Sequence, residues 1–291
     1  MKRTTSVVLT VVIVFAAAFL FYTFFTEIAN AQKPMTLGVH PYLPKSVLLD
    51  QFTPLADYLS REVDQPVTVE VSSDYQEHID KIGSDKLDIA YMGPASYVKV
   101  VDNYGPKSLL ARIEINGKPT FQGVIIVAKD SSLTNMADLA GKIFAFGDWN
   151  STMSHLVPRY MIFKAGVGIE KLADHKFLKN HHNVALGVLM GDFDAGAVKE
   201  EVFYEYEDRG LKILSKTPQI SEHVFVVSNL LSSETVLRLR KALYRLRDDV
   251  DGLLIMSSIK KNMTGMVPAK DEDYNNLREI FKFLETNGIR P

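Results

Sequence analysis

The apolar positions of this chain switch period repeatedly, and those switches outline its elements. Met35-Thr36-Leu37-Gly38-Val39 alternates like an opening strand. Over residues 46–62 the apolar side chains Val47, Leu48, Phe52, Leu55 and Leu59 recur near helical spacing. Residues 67–71 alternate again, 74–82 read as a helix and 87–91 as a strand, and Gly93-Pro94 turns into a helix over 95–101. That β-α-β-α-β-α order in a short stretch predicts an open α/β sheet.

The pattern changes after Gly105. Residues 109–115 and 123–128 look extended around a Gly117-Lys118-Pro119 turn, a place where the chain could leave one lobe for a second. The second lobe repeats the α/β logic: a short helix over 135–140, a strand over 143–146, a helix to 165, and a strand over 175–178. A helix over 183–190, a strand over 193–197, a helix over 198–209 and a strand over 211–214 follow. Residues 224–227 read as the return to the first lobe. Ser232-Ser233-Glu234 is a capping signature for a helix over 235–247, residues 249–259 read helical, and 271–284 close the chain as a helix. The expected architecture is therefore α/β with two lobes and a cleft between them. Lobe 1 takes residues 32–117 and 218–291, and lobe 2 takes residues 118–217.

The N-terminus adds a location. Met1-Lys2-Arg3, an apolar run over residues 7–25 and Ala29-Asn30-Ala31 make residues 1–31 a signal peptide or an N-terminal membrane anchor, with the Ala-x-Ala site favouring cleavage. Either way the body is exported, to a periplasmic or extracytoplasmic site, with a tether to the inner membrane left open. That disfavours enzymes that need nucleotides. The 291 residues are 46% hydrophobic and 23% charged with a net charge of -2, which gives no basic face for nucleic acid. Zero cysteines exclude a disulfide framework, thiolate metal sites, a cysteine nucleophile and a lipid-acylated cysteine.

The chemistry concentrates in turns that follow strands, where α/β sheets bind ligands. In residues 147–158 a strand leads through Ser151, Thr152 and Ser154 into a helix. A helix N-terminus lined by hydroxyls suits an anion, although one such serine could equally serve as an ordinary cap. Tyr42 precedes a helix start and could hydrogen-bond a ligand oxygen or simply sit in a surface turn. Gly93-Pro94-Ala95-Ser96-Tyr97, after Met92, repeats the helix-start pattern. His181 and His182 are adjacent and so do not form a two-histidine metal face; either could donate to an oxyanion. Asp194 at a strand end could act as a selectivity device, accepting from a protonated oxyanion. Ser151 or Ser154 with His181 and Asp194 could be written as a catalytic triad, but no G-x-S-x-G elbow is present. The expectation is no catalytic residue, no metal and no cofactor.

Taken in order, these segments resemble a family. Phe52-Thr53-Pro54-Leu55-Ala56-Asp57-Tyr58-Leu59 is similar to its first-helix motif, and Asp74-Tyr75, Leu87-Asp88-Ile89-Ala90 and Gly93-Pro94-Ala95-Ser96-Tyr97 to the next ones. Lys129-Asp130-Ser131, Asp138-Leu139-Ala140-Gly141-Lys142, Asn150-Ser151-Thr152-x-Ser154, His181 and Gly191-x-x-Asp194-Ala195-Gly196 continue it. The family is the phosphate/phosphite/phosphonate-binding proteins of ABC importers, a branch of the type II periplasmic binding proteins. The resemblance covers residues 35–230 and implies a two-lobed, monomeric, non-enzymatic solute-binding protein that hands its ligand to a membrane permease. It implies that Ser151, Thr152 and Ser154 grip the ligand oxygens, that His181 and Asp194 contact it, and that Tyr42 lies in a contact loop. Three positions depart from the pattern. His182 stands where aminophosphonate-binding members carry an acidic residue, Met92 where some members have a tyrosine, and Met153 fills a usually small position. The His182 departure argues against an ammonium-bearing ligand. A different small anion, or a membrane-anchored sensory module of the same fold, is the alternative.

Overall fold

The computed structural model describes residues 33–289, so the signal-peptide or anchor assignment for residues 1–31 lies outside the described residues. Strand β1 (Met35–Val39), helix α1 (Lys45–Val63), β2 (Val67–Val71), α2 (Tyr75–Gly83), β3 (Ile89–Met92) and α3 (Pro94–Tyr104) alternate as the periodicity predicts. Strand β4 (Ser108–Ile115) follows, then a short β5 (Thr120–Phe121), β6 (Gly123–Ala128), β7 (Ile143–Phe146), α4 (Val157–Lys164) and β8 (Asp174–Phe177). Helix α5 (His181–Leu189), β9 (Ala195–Lys199), α6 (Glu200–Tyr206), β10 (Leu211–Lys216) and a short β11 (Ile220–Ser221) complete the middle of the chain. Then come β12 (Val224–Val227), α7 (Ser233–Arg245), α8 (Val250–Ile259), β13 (Met263–Val267) and α9 (Asn275–Thr286).

Two sheets result. The first has the order β13-β4-β12-β3-β1-β2, the second β10-β6-β9-β7-β8. In the first, β1 runs parallel to β2 and β3, while β12 returns antiparallel between β3 and β4. In the second, β7 runs parallel to β8 and β9, and β6 and β10 are antiparallel additions. The central strands β3, β6, β9 and β12 are buried on both faces because helices cover both. Ile89 and Tyr91 of β3 pack with Phe52, Leu55 and Leu59 of α1, whereas Ala90 and Met92 pack with Ile79 of α2, Val98 of α3 and Phe281 of α9. Val124 and Ile126 of β6 likewise face one cluster and Ile125 and Val127 another, as the alternation of a strand requires.

The chain passes between the sheets twice, through β5 and through β11, and these two segments pair antiparallel with each other. Phe121 faces Ile220 and Thr120 faces Ser221 across that narrow ladder. Among the described residues no helix is long and apolar enough to cross a membrane.

The structure differs from the sequence reading in three places that matter. Strand β13 is absent from that reading, since Gly265 and a bulge between Met263 and Gly265 break the alternation of Met263-Thr264-Gly265-Met266-Val267; it is held by pairing to β4. The helix expected over 198–209 begins only at Glu200, which leaves Lys199 as the last residue of β9. The helix expected directly after the 147–154 turn is preceded by a wide π turn over Thr152–Leu156.

Candidate functional site

The turn after β7 is built by its own polar groups. The Asn150 N–H donates to the Asp148 carboxylate at 2.7 Å, and the Ser154 N–H donates to the Ser151 hydroxyl at 3.2 Å, so Ser151 is an N-cap. Leu156 N–H reaches back to the Ser151 carbonyl and Val157 N–H to the Thr152 carbonyl, the i to i+5 spacing of a π turn. His155 anchors the turn from below, its Nδ1 lying 2.6 Å from the Trp149 carbonyl. Gly147 is required by crowding: a Cβ there would run into the Ser154 hydroxyl.

This turn meets the first sheet directly. The Ala95 N–H in the first turn of α3 donates to the Thr152 hydroxyl at 3.0 Å, and the Lys99 ammonium donates to Asn150 Oδ1 at 2.6 Å. Met153 and Leu156 sit in the same buried cluster as Val98 of α3 and Tyr274, just ahead of α9. The ends of β1, β3, β7 and β9 therefore converge on one small enclosure, lined by residues that include His40, Gly93, Ser96, Ser151, Thr152 and Lys199. Tyr75, Phe121, Met153 and His223 complete its wall.

The wall is unusual in its polar atoms. His40 Nδ1 and Nε2 and Ser96 Oγ in the wall, and Ser154 Oγ and His181 Nε2 next to it, are all buried without a partner in the protein. Buried polar atoms ordinarily find partners, so a cluster of orphans around a cavity is a ligand's complement. His181 is fixed by the Lys199 N–H, which donates to its Nδ1 at 3.1 Å.

The charged part of the wall lies beside the crossover strands. Lys199 is almost fully buried; its Nζ sits 3.3 Å from His223 Nε2 and 4.4 Å from the centre of the Tyr42 ring. His223 Nδ1 lies 2.8 Å from the carboxylate of Glu222, a fully buried residue. The Lys260 ammonium reaches Glu222 and Glu201 at 2.8 Å each. Burial, reinforced by the nearby Lys199 charge, holds the His223 imidazole down to about 4, against the pull of Glu222. Neutral His223 thus donates from Nδ1 to Glu222 and accepts at Nε2 from Lys199. Burial also depresses His78 to about 4 and His40 and His181 well below the usual histidine value. Lys199 is lowered to about 8 by burial, which the Glu201 carboxylate partly offsets. Glu222 stays ionised despite its burial, because the Lys260 ammonium and His223 hold its carboxyl far below the usual range.

Of the residues singled out from sequence, Ser151 and Thr152 line the enclosure, and buried Ser154, His181 and Tyr42 adjoin it. Three others do not reach it. Met92 is fully buried at the end of β3 and packs in the cluster with Val98 and Phe281. His182 turns to the outer side of α5, where its Nδ1 lies 3.2 Å from the Tyr206 hydroxyl and 3.7 Å from Glu205. Asp194 precedes β9 rather than following it, at the opposite end of the sheet, and its carboxylate accepts from the Ile143 N–H at 2.8 Å. Asp194 thus sits at the start of β9, away from the cradle at the strand's other end. Ser96 lies in the helix start at 93–97 that the sequence singled out, and His40 opens the turn that carries Tyr42, whereas Tyr75, Phe121, Lys199 and His223 were missed. For Lys199 the signal was present, a lysine closing the apolar run Ala195-Gly196-Ala197-Val198, and it was hidden by starting the helix too early.

Comparison with known proteins gives a consistent answer. A family model described as the periplasmic substrate-binding protein of phosphonate ABC transporters matches residues 37–274. The chain is 28% identical over 217 residues to the phosphonates-binding periplasmic protein of Escherichia coli, an alignment covering 70% of this chain and 63% of that protein. It is 26% identical over 273 residues to the phosphate-import protein of Mycolicibacterium smegmatis, covering 85% of each. A Prochlorococcus marinus binding protein solved in complex with methylphosphonate superposes with a TM-score of 0.79 at 23% identity, covering 87% of this chain and 98% of that one.

Proposed function

The chain belongs to the periplasmic substrate-binding proteins of phosphonate ABC transporters, and from that membership we propose that its enclosure binds one phosphonate, phosphite or phosphate for delivery to a membrane permease. The family is one of transport components, not enzymes. The observation that carries the ligand assignment is the group of buried, unpartnered donors and acceptors on His40, Ser96, Ser154 and His181 around a helix-start cradle. In this reading Ser151, Thr152 and Ser154 grip the oxyanion from the second sheet, while the first turn of α3 and Ser96 face it from the first. Tyr42 and His181 close the space around it. Met92 supports the end of β3, and His182 and Asp194 hold structure outside the site.

The lobes, residues 32–117 with 218–291 and residues 118–217, turn about the β5–β11 pair. Thr152 with Ala95 and Asn150 with Lys99 are the contacts that form when they meet. Closure around the ligand then presents the permease with a surface the open form lacks.

A thermal-shift panel with phosphate, phosphite, methylphosphonate and sulfate at fixed salt tests the assignment, since a ligand of the native state raises the melting temperature. The expected result is a rise with at least one phosphorus oxyanion that exceeds the rise with sulfate. No rise with any of the phosphorus compounds removes the reading.

A further inference from the structure

The enclosure has one ammonium on its wall and no carboxylate. Its lining comprises His40, Tyr75, Gly93, Ser96, Phe121, Ser151, Thr152, Met153, Lys199 and His223, and none of these is Asp or Glu. The carboxylates nearby are already engaged. Glu222 accepts from His223 and from Lys260, Glu201 is held by Lys260 at 2.8 Å and lies 3.9 Å from Lys199, and Asp148 accepts from the Asn150 N–H. The neutral hydroxyl cradle and Lys199 both border the cavity, the first on the β7 turn and the second at the end of β9 beside Tyr42 and His223. Lys199 is thus a buried cation facing the same cavity as the cradle.

Resting on the phosphorus-oxyanion reading above, we propose that Lys199 is the specificity-determining residue of this site, a charge filter that rejects phosphonates bearing an ammonium and favours those with added negative charge. The cause is the low polarisability of the surroundings. Like charges brought together where water is excluded repel far more strongly than on a surface, and opposite charges attract correspondingly. Lys199 cannot swing away to relieve the repulsion, because Tyr42, His223 and the β9 backbone enclose it. This places the discrimination against aminoalkyl substituents at Lys199, not at His182, whose side chain sits on the outer side of α5.

The test is isothermal titration of the intact mature protein at pH 7 and fixed salt with three probes that share one head group: methylphosphonate, 2-aminoethylphosphonate and phosphonoacetate. The expected wild-type order is phosphonoacetate at least as tight as methylphosphonate, with 2-aminoethylphosphonate at least tenfold weaker. Lys199→Met should narrow that spread to within about threefold, and Lys199→Glu should reverse it. Lys199→Arg keeps the charge and should keep the order, which separates charge from packing if the shorter variant folds poorly. Equal binding of methylphosphonate and 2-aminoethylphosphonate by the wild type overturns the filter, as does an unchanged order in a folded Lys199→Met protein. Absence of binding by all three probes and by phosphate overturns both the filter and the reading on which it rests.

Discussion

The two sides of the enclosure hold polar groups by different physics. On the β7 side, Ser151, Thr152 and Ser154 present hydroxyls and backbone dipoles that carry no net charge and have no proton equilibrium near neutrality. On the crossover side, Lys199, His223, Glu222 and Lys260 form a chain of titratable groups in which each charge is tolerated because the next one is there. The first wall can be altered one hydroxyl at a time. The second stands or falls as a unit, and grip and discrimination are thereby assigned to different parts of the molecule.

Acid should have the largest effect, and it acts on both sides at once. His40, His78, His155, His181 and His223 all have folded-state values below the ordinary 6.5, two of them at about 4 and His155, in the β7 turn, at about 3. Below pH 6.5 the unfolded chain takes up protons that the folded chain refuses, so stability is lost as pH falls from 6.5 toward 4. Because all five depressions act in the same direction, the loss should exceed that of any single substitution considered below. Melting curves of the unliganded protein at half-unit pH steps check this, and a flat melting temperature from pH 7 to 5 would contradict it.

Lys260→Met comes next. It leaves the fully buried Glu222 carboxylate with only His223 as partner, and should lower stability by about 3 kcal/mol in denaturant titration. A loss under 1 kcal/mol would mean that the charged wall is not the coupled unit described above.

Ser154→Ala should have the opposite profile. Its hydroxyl has no partner within the protein, so unliganded stability should move by about 0.5 kcal/mol or less, while affinity for methylphosphonate falls about tenfold or more. Calorimetry on the same sample reads both. An unchanged affinity would take Ser154 out of the cradle.

The smallest effect belongs to Asp194→Ala. Loss of the carboxylate bond to the Ile143 N–H should cost about 1 kcal/mol of stability and leave ligand affinity within twofold. A large drop in affinity would return Asp194 to the site.

Much of this arrangement could be read in the chain. The alternating strands and periodic helices of residues 35–104 are legible because their faces are buried in regular layers, and the helix-start serines announce themselves by position. Lys199, His40 and His223 were harder to find for a physical reason. A residue at a strand's last position contributes to the site through the sheet's third dimension, and one residue of error in the strand's end moves it from the cleft to a helix surface. His223 belongs to no motif at all; it is brought in by β12, which returns antiparallel beside β3. His182 points to the outer side of α5 because adjacent helical residues diverge by roughly 100°, away from the side that His181 takes.

The wide turn at Thr152–Leu156 ties ligand recognition to chain length. A π turn holds one residue more than the α turn it replaces, and here that surplus lies in the stretch carrying Thr152 and Ser154. Deleting one residue from Met153-Ser154-His155 would let the segment continue α4 as ordinary α-helix, with all backbone bonds made. The cradle would then be rotated by roughly 100° about the helix axis. A one-residue change could thereby remove the cradle while leaving the fold in place. A deletion variant with native circular dichroism and no methylphosphonate binding would display that separation.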